Sequence, residues 1–336
     1  MTEPVPLLPP DTSCWILSDG KAGDEAQCLG VAEALGLSPQ IKRLAPRPPW
    51  FWFMPWGPPD PREDPRRAGS RLAPPFPALA IASGRRTVAS LAALREASRG
   101  ACFTVFLKDP LTGTGAADLI WVPDHDPLRG ANVVHTLTSP HRITQARLAA
   151  ARAAPPTGLA ALKAPRVALL LGGDSRNHRF SGDDIVRLTA QVAALAQSGA
   201  NLMVTASRRT PSGLAEGVRA IVRNKGGVMW DGTGDNPYVA MLALADAVVV
   251  TADSVNMVSE ACATGRPVLL FEPTPRRDAP RIRRFIDGLV EAGAVRLFQG
   301  KLESYAYEAL DSTPAIAAAV ADAYLRRRHP AQRSPA

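Results

Sequence analysis

Acidic residues, cysteines and aromatics are all sparse in this chain of 336 residues, and each shortage excludes something. Aspartate and glutamate number 31 against 39 lysines and arginines, a formal net charge of +8. The imbalance favours anionic partners such as diphosphates, acidic lipid headgroups or nucleic acid, and leaves the fold undetermined. No zinc finger, RNA-binding aromatic motif or basic zipper accompanies it, so no nucleic acid is expected as a partner. The four cysteines, Cys14, Cys28, Cys102 and Cys262, stand far apart within or beside apolar segments. Neither a disulfide framework nor a zinc knuckle follows from that spacing, and a reducing cytoplasm is the expected compartment. Apolar runs of the roughly 20 residues that span a bilayer are also missing. The start, MTEPVPLLPPDTS, has neither a basic beginning nor a continuous apolar core, so no signal peptide is expected. The protein is expected to be soluble and cytoplasmic, or peripheral on the inner membrane.

Hydrophobic residues at 46% and charged residues at 21% are globular values, and the length suits two domains. Strand-like runs alternate with helix-like segments: Cys14 to Leu17, Glu25 to Leu35, Ala78 to Ala82, Thr87 to Ala97 and Cys102 to Leu107. A second series follows: Val167 to Leu171, Asp183 to Gln197, Asn201 to Thr205, Leu214 to Arg223, Val228 to Trp230 and Ala247 to Val250. Such alternation predicts α/β architecture with parallel sheets. The expected organisation is an N-terminal Rossmann-like domain over 1–150, a linker over 151–165, a C-terminal Rossmann-like domain over 166–311, and a terminal helix and tail over 312–336. Residues 47–77 are dense in proline and arginine and contain Trp50-Phe51-Trp52-Phe53-Met54-Pro55-Trp56. Prolines argue for a long loop without regular helix. Its aromatics either dock, through 47–59, on an anionic membrane surface or plug the core beneath the loop.

Polar turns after the strands carry the candidate chemistry, because ligands of open α/β sheets bind beyond the carboxyl ends of the strands. In Thr251-Ala252-Asp253-Ser254, Asp253 or Ser254 is placed to cap a helix that carries Asn256 and Glu260. Glu260 has no obvious partner and reads either as a solvated carboxylate or as a ligand group. Gly172-Gly173-Asp174-Ser175-Arg176-Asn177 offers close backbone approach and donors suited to phosphate or hydroxyl groups. In Ser207-Arg208-Arg209-Thr210-Pro211, either arginine could neutralise a diphosphate, or the segment is a solvated helix start. The first series offers Asp19-Gly20-Lys21-Ala22-Gly23 followed by Gln27, then Ser83-Gly84-Arg85, Lys108-Asp109 and Asp124-His125-Asp126. Neither a Walker loop nor a dinucleotide fingerprint is present. His125 between two aspartates reads as a base oriented by a carboxylate, or as an incidental loop histidine. No second histidine joins it at metal-ligand spacing, and no metal or cofactor is expected.

Ser259, Glu260, Ala261, Ala263, Gly265 and Pro267 match the spacing found in two-domain GT-B glycosyltransferases, notably the enzyme that adds N-acetylglucosamine to lipid-linked muramyl peptide. The resemblance implies two Rossmann-like domains facing a cleft, a nucleotide-diphosphate sugar as donor, and Glu260 on the ribose hydroxyls. That enzyme's Gly-Gly-His element is replaced here by DGKAGDEAQ, which leaves Asp19 and His125 with Asp126 as substitute bases. DGKAG with Gln27, SGRR, KDP, PDHD, LLGGDSRNH, SRRTP, Asn236-Pro237-Tyr238 and TADSVNMVSEA together resemble the mitochondrial-fission (elongated-mitochondria) family, from about Trp15 to Phe298. Its bacterial branch is regarded as glycosyltransferases, and its plant member implies an adaptor for a dynamin-related GTPase. Two expectations follow. One is a metal-independent transferase, with the second-domain residues, Asn236 among them, on the donor side and Gly20, Lys21, Gly23, Gln27, Ser83, Gly84, Arg85, Lys108 and Asp109 on the acceptor side. The other is a noncatalytic adaptor on the same scaffold.

Overall fold

The apolar runs fold into two six-stranded, wholly parallel sheets in a computed structural model that describes residues 8–276 and 278–328. The chain divides into two units, one holding residues up to Arg142 together with those from Ser312 onward, the other Ile143–Asp311. In the first unit, strands β1 (Cys14–Ser18), β2 (Gln40–Arg43), β3 (Leu79–Ser83), β4 (Phe103–Leu107), β5 (Leu119–Pro123) and β6 (Val133–Thr136) lie in the order β2-β1-β3-β4-β5-β6. Helices α1 (Ala22–Ala34), α2 (Trp50–Phe53) and α3 (Val88–Ala97) connect them. Every residue of β1, β3, β4 and β5 is buried, as in a parallel sheet covered on both faces, which is why these strands read as unbroken apolar runs. By contrast, β2 is an exposed polar edge, QIKR, with no alternation or apolar run to announce it.

The second unit holds helices α4 (Gln145–Ala153) and α5 (Thr157–Ala160), then β7 (Arg166–Leu171), α6 (Gly182–Gln197), β8 (Asn201–Ala206), α7 (Ser212–Lys225) and β9 (Gly227–Met229). It continues through α8 (Tyr238–Leu244), β10 (Ala247–Thr251), α9 (Val255–Cys262), β11 (Val268–Phe271), α10 (Pro280–Glu291) and β12 (Val295–Leu297). Strand order is β12-β11-β10-β7-β8-β9. Both sheets therefore reverse direction beside their first strand, at β1/β3 and at β7/β10. Those are the switch points where loops diverge to opposite faces and leave a crevice. Asp184 and Ser181 form a capping box at the start of α6, and Thr274 N–H donates to the same carboxylate at 2.9 Å. Burial opposes ionisation of Asp184, yet hydrogen bonds from Thr274, Arg187 and Ser181 hold its carboxyl well below the usual range.

The final helix α11 (Thr313–Arg328) returns to the first unit, where Ile316, Ala317, Val320, Ala321 and Tyr324 join the core of β1, β3, β4 and α1. Much of the segment read as a linker is helical: α4 ends at Ala153 and α5 covers Thr157–Ala160. Buried Leu148, a Thr144 cap on Arg147 N–H and an Arg152 bond to the Ala243 carbonyl (2.9 Å) dock α4 in the second unit. The 47–77 segment is irregular apart from the single turn α2, which the expectation of no helix passed over. Arg47 grips buried Asp60 with Nε at 2.9 Å and Nη2 at 2.8 Å, and these bonds hold the Asp60 carboxyl well below the usual range. Buried Glu63 accepts the Ala45 N–H at 2.6 Å, and burial raises its pKa. The aromatic run is divided: Met54 is fully buried, whereas Trp52, Phe53 and Trp56 are exposed.

Candidate functional site

At the β7/β10 switch point, backbone and side chains knit three turns into one rim. Gly172 N–H donates to Thr251 Oγ1 (2.8 Å), Gly173 N–H to Asp253 Oδ2 (3.0 Å), and the Thr251 hydroxyl to Asp253 Oδ1 (2.7 Å). Arg209, after β8, places its guanidinium 3.3 Å from Asp253 Oδ2 and 2.8 Å from the Asp174 carbonyl. The Thr210 hydroxyl reaches the carbonyls of Leu171 (3.1 Å) and Gly172 (2.5 Å). Neither glycine tolerates a side chain, because a Cβ on Gly172 would overlap the Asp253 carboxylate and one on Gly173 the Arg209 carbonyl. Burial pushes the Asp253 carboxyl up, opposed by the bonds from Gly173 and Thr251 and by the charge of Arg209.

Many residues expected to meet a donor are therefore engaged inside the protein. Asp253 and Arg209 position the turns. Asp174 accepts Phe180 N–H (2.9 Å) and pairs with Arg276 (2.8 Å), and the Phe180 bond leads in lowering its pKa. Ser175 Oγ accepts the N–H groups of Asn177 (3.2 Å) and His178 (3.0 Å), closing a local turn. Ser207 Oγ accepts Arg209 N–H (3.1 Å), and Asn236 Oδ1 accepts Tyr238 N–H (3.0 Å) at the start of α8. Arg176 and Arg208 are exposed and make no hydrogen bond or ion pair among the described residues.

Helix α9 opens at this rim. Ser254, not Asp253, caps it, accepting Met257 N–H at 3.4 Å, and the positive end of the helix dipole at this terminus favours an anion. Asn256 lies in the first turn, half-buried. Glu260 is not a solvated carboxylate on an open face. It is half-buried and accepts the Tyr238 hydroxyl on Oε2 at 2.6 Å. Burial raises its pKa to about 7 against the lowering effect of the Tyr238 bond, and the same burial holds the Tyr238 phenol well above its ordinary value. At neutral pH the Glu260 carboxyl is thus poised between donor and acceptor.

Four residues outside the expected set belong to the rim: Tyr238, Thr251, Thr210 and His178. Thr251, the last residue of β10, carries a signal in hindsight, since a hydroxyl there can satisfy a neighbouring turn. His178 is buried with no partner for Nδ1 among the described residues, and burial lowers its pKa although Asp253 and Glu272 pull it up. It lines a cavity of about 170 Å³ with Glu272, Pro273, Pro275, Arg283 and Ile286.

In the first unit, β1 ends at an Asp19–Lys21 ion pair (2.6 Å), and Lys108 pairs with Asp24 at the start of α1. The Asp19 side chain is fully buried, and its Oδ1 has no hydrogen-bond partner among the described residues. Gly20 and Gly84 take φ of +84° and +98°, which glycine adopts without strain. Lys108 and Leu111 adopt φ of +86° and +65°, which side chains disfavour. Ser83 Oγ donates to the Leu107 carbonyl (3.2 Å) across the ends of β3 and β4, and Asp109 Oδ1 accepts Leu111 N–H (2.8 Å) within its own turn. Arg85 is exposed, Gln27 buried, and Gly23 is in the first turn of α1. His125 and buried Asp126 follow β5 on the same sheet edge, where Arg129 donates to the carbonyls of Asp124 and Asp126.

The family model described as "Mitochondrial fission ELM1" matches residues 22–324. The mitochondrial fission protein ELM1 of Arabidopsis thaliana is 30% identical over 264 residues, covering 70% of this chain and 61% of that protein, so the chain spans about three fifths of the relative's length. Among solved structures, the UDP-GlcNAc 2-epimerase of Methanocaldococcus jannaschii superimposes with a TM-score of 0.50 at 13% identity, covering 92% of this chain and 90% of that one. MurG of Acinetobacter baumannii aligns with a TM-score of 0.48 at 13% identity over 95% and 96% of the two chains. The fold is of the GT-B kind, two parallel α/β units.

Proposed function

The chain belongs to the mitochondrial fission ELM1 family, and from that premise we propose that it is a glycosyltransferase whose second unit binds a nucleotide-diphosphate sugar. The observation that carries the reading is Glu260, a half-buried carboxyl held by Tyr238 on the helix that opens the β7/β10 switch point. Its second oxygen, Oε1, is the group offered to ribose hydroxyls. The diphosphate would lie at the N-terminus of α9, where the helix dipole favours an anion, with Gly172 and Gly173 allowing the backbone to approach. Arg176 and Arg208, both exposed, supply positive charge for the leaving group in the place a metal would take.

In the reaction, an acceptor hydroxyl attacks the anomeric carbon through an oxocarbenium-like state as the bond to the diphosphate breaks. The acceptor side is the β1/β3 edge of the first unit, with Asp19 or His125 with Asp126 taking the proton. Asp19 reaches that role through its unbonded Oδ1, since Oδ2 is occupied by Lys21. The transferred group is a hexosyl or N-acetylhexosaminyl unit, and the acceptor is a cell-envelope molecule met at the cytoplasmic face of the inner membrane. UDP is the first nucleotide to try, because the epimerase of like fold handles UDP-GlcNAc.

Calorimetry of the purified chain against UDP, GDP, ADP, CMP and their sugar conjugates tests this. Saturable binding that Glu260→Gln weakens by about tenfold supports it. A folded protein that binds none of them at millimolar concentration removes it. A second reading, a noncatalytic adaptor, is favoured by the relative's fission role and by how many rim side chains bond internally. That negative result would favour it.

A further inference from the structure

Four large apolar side chains of the first unit stand out in water: Trp52 at 69% exposure, Phe53 at 58%, Trp56 at 71% and Leu111 at 50%. They come from two connections joined by one bond, in which the Trp56 indole N–H donates to the Leu111 carbonyl at 3.3 Å. The other exposed large hydrophobics among the described residues, Val186, Val290, Leu297 and Leu302, all lie in the second unit and stand apart along the sequence. We propose that this aromatic knob inserts into the interfacial layer of an anionic lipid surface and anchors the protein there. The proposal deepens the location given above and rests on that reading only for calling this edge the acceptor side.

Three features favour lipid over another occupant. First, the knob projects and is rigid: Met54 beneath it is fully buried, and the Arg47–Asp60 pair ties its base. Tryptophan, with an apolar body and a polar tip, is favoured at headgroup depth. Second, its backbone is prepared for a medium poor in water. Phe51, Trp52 and Gly57 N–H groups donate to the carbonyls of Arg47, Pro49 and Phe53 at 2.9, 3.0 and 2.8 Å. Positions 55, 58, 59 and 61 are prolines with no N–H to desolvate. Third, two cations lie against its base and its segment is basic. Arg47 and Arg86 stack on Trp50 and Phe51 at 5.5 and 4.3 Å, and residues 47–77 hold five arginines against three acids. That charge complements phosphatidylglycerol headgroups. Leu111 follows Lys108 by three residues at the end of β4, so anchoring turns the carboxyl edge of the first unit toward the lipid.

Cosedimentation of the full chain with phosphatidylcholine vesicles, with and without phosphatidylglycerol, tests the surface. Partitioning should need phosphatidylglycerol and fall at least about tenfold in Trp52→Ser/Trp56→Ser. Arg62→Ser/Arg66→Ser/Arg67→Ser should weaken it several-fold and flatten its salt dependence. Brominated lipid should quench tryptophan emission of the parent and much less that of the double variant. Equal partitioning by parent and a folded double variant overturns the proposal, as does failure of the parent to bind either vesicle. Loss of self-association in the double variant with unchanged partitioning assigns the knob to a second copy and overturns it too. Nucleotide calorimetry on the same samples separates the two readings: vesicle binding without nucleotide binding leaves this surface standing and removes the transferase.

Discussion

The two switch points use the same backbone plan and treat their leading aspartate in opposite ways. After β10, Asp253 is saturated: one oxygen takes Thr251, the other takes Gly173 and Arg209, and the carboxylate binds three turns together. After β1, Asp19 is equally buried, yet among the described residues only Oδ2 is engaged, by an exposed lysine. One carboxylate is a structural rivet, whereas the other keeps an acceptor in reserve. An aspartate at a strand end is thus not a ligand group by position, and only its partners decide.

Removing each carboxylate should separate the roles most sharply. Asp253→Ala leaves the Gly173 N–H, the Thr251 hydroxyl and Arg209 without their acceptor, and should cost about 3 kcal/mol in urea unfolding. Asp19→Ala should cost about 1 kcal/mol, since Lys21 returns to water. Equal losses would break the comparison. Glycines give the next largest contrast. Gly173→Ala meets the Arg209 carbonyl and should destabilise by about 2 kcal/mol, whereas Gly20→Ala, with open space around it and only its φ of +84° to oppose it, should cost about 1 kcal/mol.

Glu260 sharpens the comparison through pH, because no corresponding group on the β1/β3 side responds to a nucleotide in this reading. Its folded pKa is raised to about 7, so its contribution favours the fold below the unfolded value near about 4.3 and is lost as pH rises toward 7. Ribose hydroxyls donate best to the ionised form. Nucleotide affinity should therefore climb by up to about tenfold per pH unit from about 6 and level off above 7, with a flat profile in Glu260→Gln. A sloping profile in that variant would move the titration to another group. The smallest effect is expected at Leu111→Gly, which relieves a φ of +65° and should stabilise the first unit by roughly 0.5 kcal/mol. Thermal unfolding of Leu111→Gly beside the parent protein checks it.

Legibility followed burial. β1, β3, β7 and β10 were plain in the sequence because a strand covered on both faces must be apolar throughout, and the polar turns behind them marked both edges. β2 and the short α2 were hidden, one because an edge strand can be polar, the other because prolines on either side masked a single turn. At the site, Ser254 was readable as a cap, whereas the Tyr238 partner of Glu260 was not, since 22 residues separate the pair and only the tertiary fold brings them together. The commitment of Asp174 and Ser175 to their own turn was hidden for a related reason, because a donor-rich loop looks the same whether it bonds itself or a ligand.

Alone, the order of residues determined two α/β units, their parallel sheets, the edge that carries polar turns, and membership in a family, because burial and turn geometry constrain residue type locally. Tertiary structure decided which polar groups at that edge remain available. It engaged Asp253, Arg209, Asp174 and Ser175, raised Glu260 to a neutral-range titration, left Asp19 one open oxygen, and divided the aromatic run into buried Met54 and an exposed knob. Desolvation and the partners of Asp253, Arg209 and Glu260 depend on neighbours distant in sequence, and where the partners are local, as for Ser175, the turn reads the same whether it bonds itself or a ligand.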